Sequence, residues 1–212
     1  MIFLINKLNK MKKTFIIISL TILTITSVKS QEKIQLGIKG GINFTNITSN
    51  DLYNKKYKTG FHVGALVEIP LGNKFSLQPE ILYSTQGAEG KVPMLYVPFP
   101  GAPTPPPVFG EFKLDYIQIP VLAKIYLIKN FSLDIGPSFN FLIKDKEIIT
   151  SENNSFTYSG FGNNFEFSGI IGTSYKFEGG FFGSARYVQG MSEATDSAAK
   201  NICFQIGIGY FF

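Results

Sequence analysis

The chain has 212 residues, of which 44% are hydrophobic and only 17% charged, with 21 Phe, 10 Tyr, 21 Gly, one Cys and no Trp. That composition excludes a disordered or coiled-coil protein and speaks against an ordinary charged cytosolic domain. The single cysteine excludes a disulfide framework and a Cys-based zinc site. The net charge of +5 is unevenly placed: Lys7, Lys10, Lys12, Lys13 and Lys29 precede Gln31 with no acid among them, so the remainder balances 15 basic against 15 acidic residues. A nucleic-acid binder needs a concentrated basic surface, and nucleic acid is set aside as a partner.

Met11-Lys12-Lys13 opens an uncharged run, Thr14 to Val28, rich in Ile, Leu and Thr. A basic start, a short apolar run and small residues before a cut form a secretory signal peptide. Val28-Lys29-Ser30 places cleavage before Gln31, giving a signal peptide over 1–30 and one barrel domain over 31–212. The competing reading, a retained membrane anchor, wants roughly 20 apolar residues, more than this run supplies. Met11 is an alternative start to Met1, and no cysteine near the cut supports a lipid anchor.

From Ile34 the hydrophobic pattern has period two. Ile34, Leu36, Ile38, Ile42 and Phe44 alternate with Gln35, Gly37, Lys39, Gly41 and Asn43; Phe61 to Ile69 alternate with His62, Gly64 and Glu68. Phe75, Leu77, Ile81 and Tyr83 oppose Ser76, Gln78, Glu80 and Ser84, and Ile117 to Leu127 oppose Gln118 and Lys124. Phe131 to Ile143 oppose Ser132, Asp134, Ser138 and Asn140, and Phe165, Phe167, Ile171 and Tyr175 oppose Glu166, Ser168 and Ser174. Phe181, Ala185 and Tyr187 oppose Ser184 and Arg186, and Ile202 to Phe212 oppose Cys203, Gln205, Gly207 and Gly209. This predicts eight strands of about ten residues and no helix. Phe112, Leu114 and Tyr116 fall on even positions whereas the apolar set from Ile117 is odd, so a bulge is expected near Tyr116-Ile117. Pro70, Pro79, Pro120 and Pro137 count locally against strands, since proline removes a ladder donor.

The polar face mixes Gly and Ser with charges of both signs, which suits a narrow, hydrogen-bonded interior; the other face is aliphatic with Tyr and Phe toward strand ends, as a lipid-facing band with aromatic girdles would be. Connections alternate in length. Thr45–Lys58, Gln86–Gly110, Asp145–Asn164 and Gly190–Asn201 are long, while Pro70–Lys74, Leu127–Asn130 and Lys176–Gly180 are tight. Long external loops and short periplasmic turns are the asymmetry of outer-membrane barrels. The fold class expected is all-β, an eight-stranded antiparallel up-and-down transmembrane β-barrel in the outer membrane with both termini periplasmic. The last strand ends on Phe212, with Tyr210 two residues before it on the same face, and this ending resembles the signal read by the barrel-insertion machinery.

Several motifs fall in order along the chain: Gly37-Ile38-Lys39-Gly40-Gly41-Ile42-Asn43-Phe44, Thr59-Gly60-Phe61-His62-Val63-Gly64, Leu77-Gln78-Pro79-Glu80-Ile81-Leu82-Tyr83-Ser84, Asp115-Tyr116-Ile117-Gln118-Ile119-Pro120-Val121-Leu122 and Asp134-Ile135-Gly136-Pro137. Together they resemble the PorT-like outer-membrane β-barrel family of Bacteroidota over nearly all of 31–212. The resemblance implies a Gram-negative outer-membrane location and an eight-stranded barrel, and little about activity, since a link to protein secretion does not transfer on fold alone. The sequence departs from the family in the proline-rich stretch Val97-Pro98-Phe99-Pro100 and Pro103-Thr104-Pro105-Pro106-Pro107.

Candidate chemistry is sparse. A lipid hydrolase or acyltransferase needs a nucleophile beside a base, and the tight turn after strand two sets Ser84 almost opposite His62, the single histidine. Inward charges have a structural account: Lys39, Lys124 and Arg186 must pair with Glu68, Glu80, Asp134 and Glu166, because eight strands leave room only for side chains. Asp145, Glu147, Glu152 and Asp196 are too scattered to specify a metal, Cys203 faces inward as a filler, and no cofactor is implied. The proline-rich stretch reads as a semi-rigid extended spacer or docking arm. Three functional readings follow: a non-enzymatic barrel with a structural or binding role through its external loops, a small-barrel lipid enzyme, and a secreted lipocalin-like ligand binder. The partners expected for the first are outer-membrane lipid, the insertion machinery and an extracellular or secretion-system partner met through loops 86–110 and 145–164.

Overall fold

The computed structural model describes residues 33–48, 53–92, 106–152, 154–195 and 199–212. The expected signal peptide, Asp196 and all of the proline-rich stretch except Pro106 and Pro107 lie outside the described residues.

Among the described residues nine strands run in chain order: β1 (Gln35–Thr48), β2 (Tyr53–Gly72), β3 (Phe75–Lys91), β4 (Phe109–Ile128), β5 (Phe131–Ser151), β6 (Asn154–Tyr158), β7 (Phe165–Lys176), β8 (Phe181–Gly190) and β9 (Lys200–Phe211). All neighbours pair antiparallel in the order β4-β3-β2-β1-β9-β8-β7-β5-β6, and β4 also pairs with β5. Eight strands therefore close into a ring, leaving no barrel edge unpaired. The ninth, β6, is an addition to the expected eight: it folds back on the far end of β5 through Glu147↔Tyr158 to Ser151↔Asn154.

Alternation sets the faces. Ile38 is 52% exposed, Ile206 58% and Ile208 72%, whereas Lys39, Gln205 and Asn43 on the same strands are buried. The aliphatic face thus looks outward, which removes the lipocalin-like reading, since that required it to line a cavity. Outward aromatic rings gather in two tiers. Phe61–Tyr83, Phe141–Phe165 and Tyr187–Phe204 sit toward one end, and Tyr175–Phe177, Phe181–Tyr210 and Tyr210–Phe212 toward the other. Amphipathic rings favour the membrane–water boundaries, so the tiers mark the two edges of the spanning band.

The strands are longer than the hydrophobic pattern predicted. Crossing a bilayer takes roughly 9–11 tilted residues, which β7, β8 and β9 match with 12, 10 and 12. β2 to β5 have 20, 17, 20 and 21 and project beyond the band, so 86–91, 109–110 and 145–151, which read as loop, continue the ladder. The short connections lie at the opposite end. The last of them carries a single 3-10 turn, Glu178–Gly180, in which Gly179 (φ 82°) and Gly180 (φ 90°) adopt a left-handed backbone that other residues resist.

The bulge expected at Tyr116-Ile117 is not there. β4 alternates without interruption, with Gly110, Phe112, Leu114, Tyr116, Gln118, Pro120, Leu122 and Lys124 all buried. The register shift falls on the partner strand instead: Asp115 faces Lys144 and Tyr116 faces Leu142, leaving Ile143 as the extra residue of β5. The apparent change of phase in β4 arose because the interior itself turns apolar toward the loop end, where Phe112 packs with Ile47, Ala88 and Ala199, and Phe161 lies against them.

Candidate functional site

Interior side chains from five strands converge at mid-height. Arg186 on β8 donates through Nη1 to Glu80 Oε2 (2.9 Å) and through Nη2 to Glu80 Oε1 (2.8 Å), a bidentate fork on β3. Its Nη2 also lies 3.6 Å from Asp134 Oδ2 on β5. Lys39 Nζ on β1 reaches Glu80 Oε2 at 3.4 Å, and Lys124 Nζ on β4 stands 3.6 Å from Asp134 Oδ1. Gln78 Nε2 donates to Glu80 (2.5 Å), Ser132 Oγ donates to Asp134 (2.8 Å), and Ser174 hydrogen-bonds Asp134 as well. All five charged side chains are buried, so each carboxylate needs these partners to offset its lost hydration.

The structure divides the remaining expected members differently. Glu68 does not meet Lys39, Lys124 or Arg186; it accepts from Lys176 Nζ (3.0 Å) and Tyr126 Oη (2.5 Å) at the turn end. Lys176, which the pattern places in a tight connection, ends β7 and reaches back inside, over the rings of Tyr126 and Phe211. Glu166 has no cationic partner among the described residues. It accepts from Asn201 Nδ2 (2.6 Å) and Ser168 Oγ (3.1 Å), and the same Asn201 amide donates to Tyr116 Oη at 3.2 Å. Nothing in a period-two pattern reports which inward charge lies opposite which across a closed ring.

Apolar layers close the space on either side of the charges. Leu66, Phe182 and Phe211 pack at the turn end, and Leu122, Ile170, Val188 and Cys203 form a patch beside the charged layer. At the loop end, Asp145 Oδ2 accepts from the backbone N–H of Gly160 (2.7 Å), Phe161 (2.7 Å) and Gly162 (3.1 Å). That clasp holds the segment before β7 so that Phe161 packs at a tilt against Phe112, 5.3 Å between centroids, and Gly162 bridges to Thr195.

His62 and Ser84 are register partners on β2 and β3, and both are buried. Asn43 stands between them: His62 Nδ1 meets Asn43 Oδ1 at 2.8 Å, and Asn43 Nδ2 donates to Ser84 Oγ at 2.9 Å. The free ring edge of His62 turns the other way, toward Gly41 and Gly207, where a Cβ would come within 2.7 Å and 2.9 Å of it. His62 Nε2 has no partner among the described residues. The serine therefore lacks the direct contact to a base that activates a nucleophile. Cys203 is a buried free thiol, and among the described residues no three His, Cys, Asp or Glu side chains gather as a metal set. Tyr210 and Phe212 point outward at the turn end, 36% and 75% exposed.

Residues 29–196 match the outer membrane protein beta-barrel domain. The chain belongs to that family. Among solved structures it is similar to Ail, the attachment invasion locus protein of Yersinia pestis, at 15% identity and TM-score 0.53, with 85% of this chain and 100% of that one covered. It is also similar to Neisserial surface protein A, at 11% identity and TM-score 0.52, again over 85% of this chain and 100% of that one. These likenesses concern the fold. No curated protein matches the sequence. The protein is thus an outer-membrane β-barrel whose interior is filled by side chains.

Proposed function

We propose that this outer-membrane barrel is non-enzymatic and acts as a structural or binding protein through the loops and projecting strands at its loop end, which faces the exterior, with both termini periplasmic. The observation that carries this reading is the sealed interior, with Arg186, Glu80, Asp134, Lys39 and Lys124 interlocked at mid-height and apolar layers above and below. Eight strands enclose only enough space for side chains, so a conducting path has no room. Chemistry confined to the barrel interior would lack access to lipid, and the intervening Asn43 supports the same conclusion for His62 and Ser84.

On this reading the chain is a PorT-like member of the Bacteroidota type, Tyr210 and Phe212 serve the insertion machinery, and an extracellular or secretion-system partner is met through 86–110 and 145–164. The first experiment is outer-membrane fractionation followed by gel mobility with and without boiling, where a heat-dependent shift is the expected outcome. Whole-cell labelling of Ser155→Cys with an impermeant maleimide tests orientation, because Ser155 is exposed at the tip of β6 while Cys203 is buried. Periplasmic recovery, labelling only after lysis, stable single-channel conductance or a change in lipid composition on His62→Ala would each overturn a part of it.

A further inference from the structure

The bulge at Ile143 has a consequence on the outer wall. Beyond it the parity of β5 reverses, so that Lys144 and Lys146 stand opposite Asp115 and Lys113 of β4, on the outward side, while Asp145 turns inward to its clasp. Continuing up the same wall, Glu111 stands opposite Ile148 and Glu89, which in turn faces Lys56; Lys91 faces Phe109. Lys56, Glu89, Lys91, Phe109, Glu111 and Ile148 line one cleft of about 600 Å³. This band begins just above the outward aromatic tier, since Lys144 lies three residues beyond Phe141.

Charge within the band does not balance. Glu111 already serves two cations, Lys58 at 2.6 Å and Lys113 at 3.1 Å. Burial alone would raise its carboxyl pKa, but the hydrogen bonds and charge of Lys58 and Lys113 hold it below the ordinary carboxylate value. Lys56, Lys91, Lys144 and Lys146 have no carboxylate within ion-pair distance among the described residues. Lys113 and Lys146 moreover stand directly opposite each other across the ladder, an arrangement of like charges that destabilises a sheet unless an anion lies between. Cations at the headgroup depth of a membrane protein meet lipid phosphate.

We propose that the outward lysines Lys56, Lys91, Lys113, Lys144 and Lys146 bind the phosphate groups of an outer-leaflet glycolipid headgroup. The inference rests on the reading that the loop end faces the exterior, which the Ser155→Cys labelling tests by itself. The barrel purified in nonionic detergent is titrated with bis-phosphorylated lipid A and with its dephosphorylated form, and bound lipid is counted by native mass spectrometry. The expected result is about tenfold greater retention of the phosphorylated lipid, lost in the Lys113→Gln/Lys144→Gln/Lys146→Gln variant with its heat-dependent mobility unchanged. Equal retention of both lipids, or a preference that survives in the variant, would overturn the proposal. Displacement by millimolar inorganic phosphate would overturn it too, leaving a site for free anions. Outside labelling of Ser155→Cys together with any of these failures confines the error to the lipid.

Discussion

At mid-height the barrel is filled by three cations and two carboxylates from five different strands, each within 3.6 Å of an opposite charge. Farther along β1, β3 and β4 the same inward face carries Ile47, Ala88 and Phe112, packed with Ala199 and Phe161. Both regions exclude a continuous opening, by different physics. The charged layer holds only as a set, because removing one member leaves its partners charged, buried and unsatisfied. The apolar plug loses stability in proportion to the volume removed. The plug has, in addition, one polar fastening, the Asp145 clasp.

Breaking the charged layer gives the largest expected effect. Arg186→Ala deprives Glu80 of its fork and Asp134 of one neighbour and should cost about 3–5 kcal/mol, read as a lower urea midpoint or boiling threshold in detergent. Arg186→Met combined with Glu80→Gln and Lys39→Met should recover much of that loss, since replacing the linked charges together by neutral groups is tolerated better than orphaning one member. Equal loss in both variants would mean that packing volume, rather than charge, sets the stability of the layer. Phe112→Ala in the plug should cost about 3 kcal/mol, and a leak of small ions in planar bilayers would show that the plug also seals. Asp145→Ala leaves three backbone donors without their acceptor. It should cost about 1–2 kcal/mol and expose the chain near Gly160 to protease while the barrel itself stays intact.

The smallest effect lies outside the membrane, at Glu111. Because the folded carboxyl titrates below its ordinary value, its ties to Lys58 and Lys113 are fully present above the unfolded carboxylate pKa and vanish as pH falls through the lower folded value. Acidification should therefore loosen the projecting wall, observable as faster amide exchange in 109–113. Glu111→Gln should remove that pH dependence.

That Ser84 lies almost opposite His62 follows from a tight antiparallel turn, and the register shift between Pro70 and Gly72 makes the two direct partners. Alternation puts Lys39, Glu80, Lys124, Asp134 and Arg186 on one common face, because adjacent side chains on a strand point to opposite faces, and the structure turns that face inward. Other features depend on contacts that alternation does not encode. Asn43 between His62 and Ser84 comes from a third strand, and Lys176 with Glu68 joins residues 108 apart in sequence. The bulge was misplaced by one strand for the same reason: Phe112, Leu114 and Tyr116 look like a phase error until Ile47 and Ala199 are known to face them. The period of two and the turn spacing determined antiparallel strands with one aliphatic and one polar face, since both are local properties of the chain. Ring closure between β4 and β5, the partition of charges into pairs, the plug and the outward turn of Lys144 and Lys146 were decided only in three dimensions, where strands distant in sequence share one narrow space.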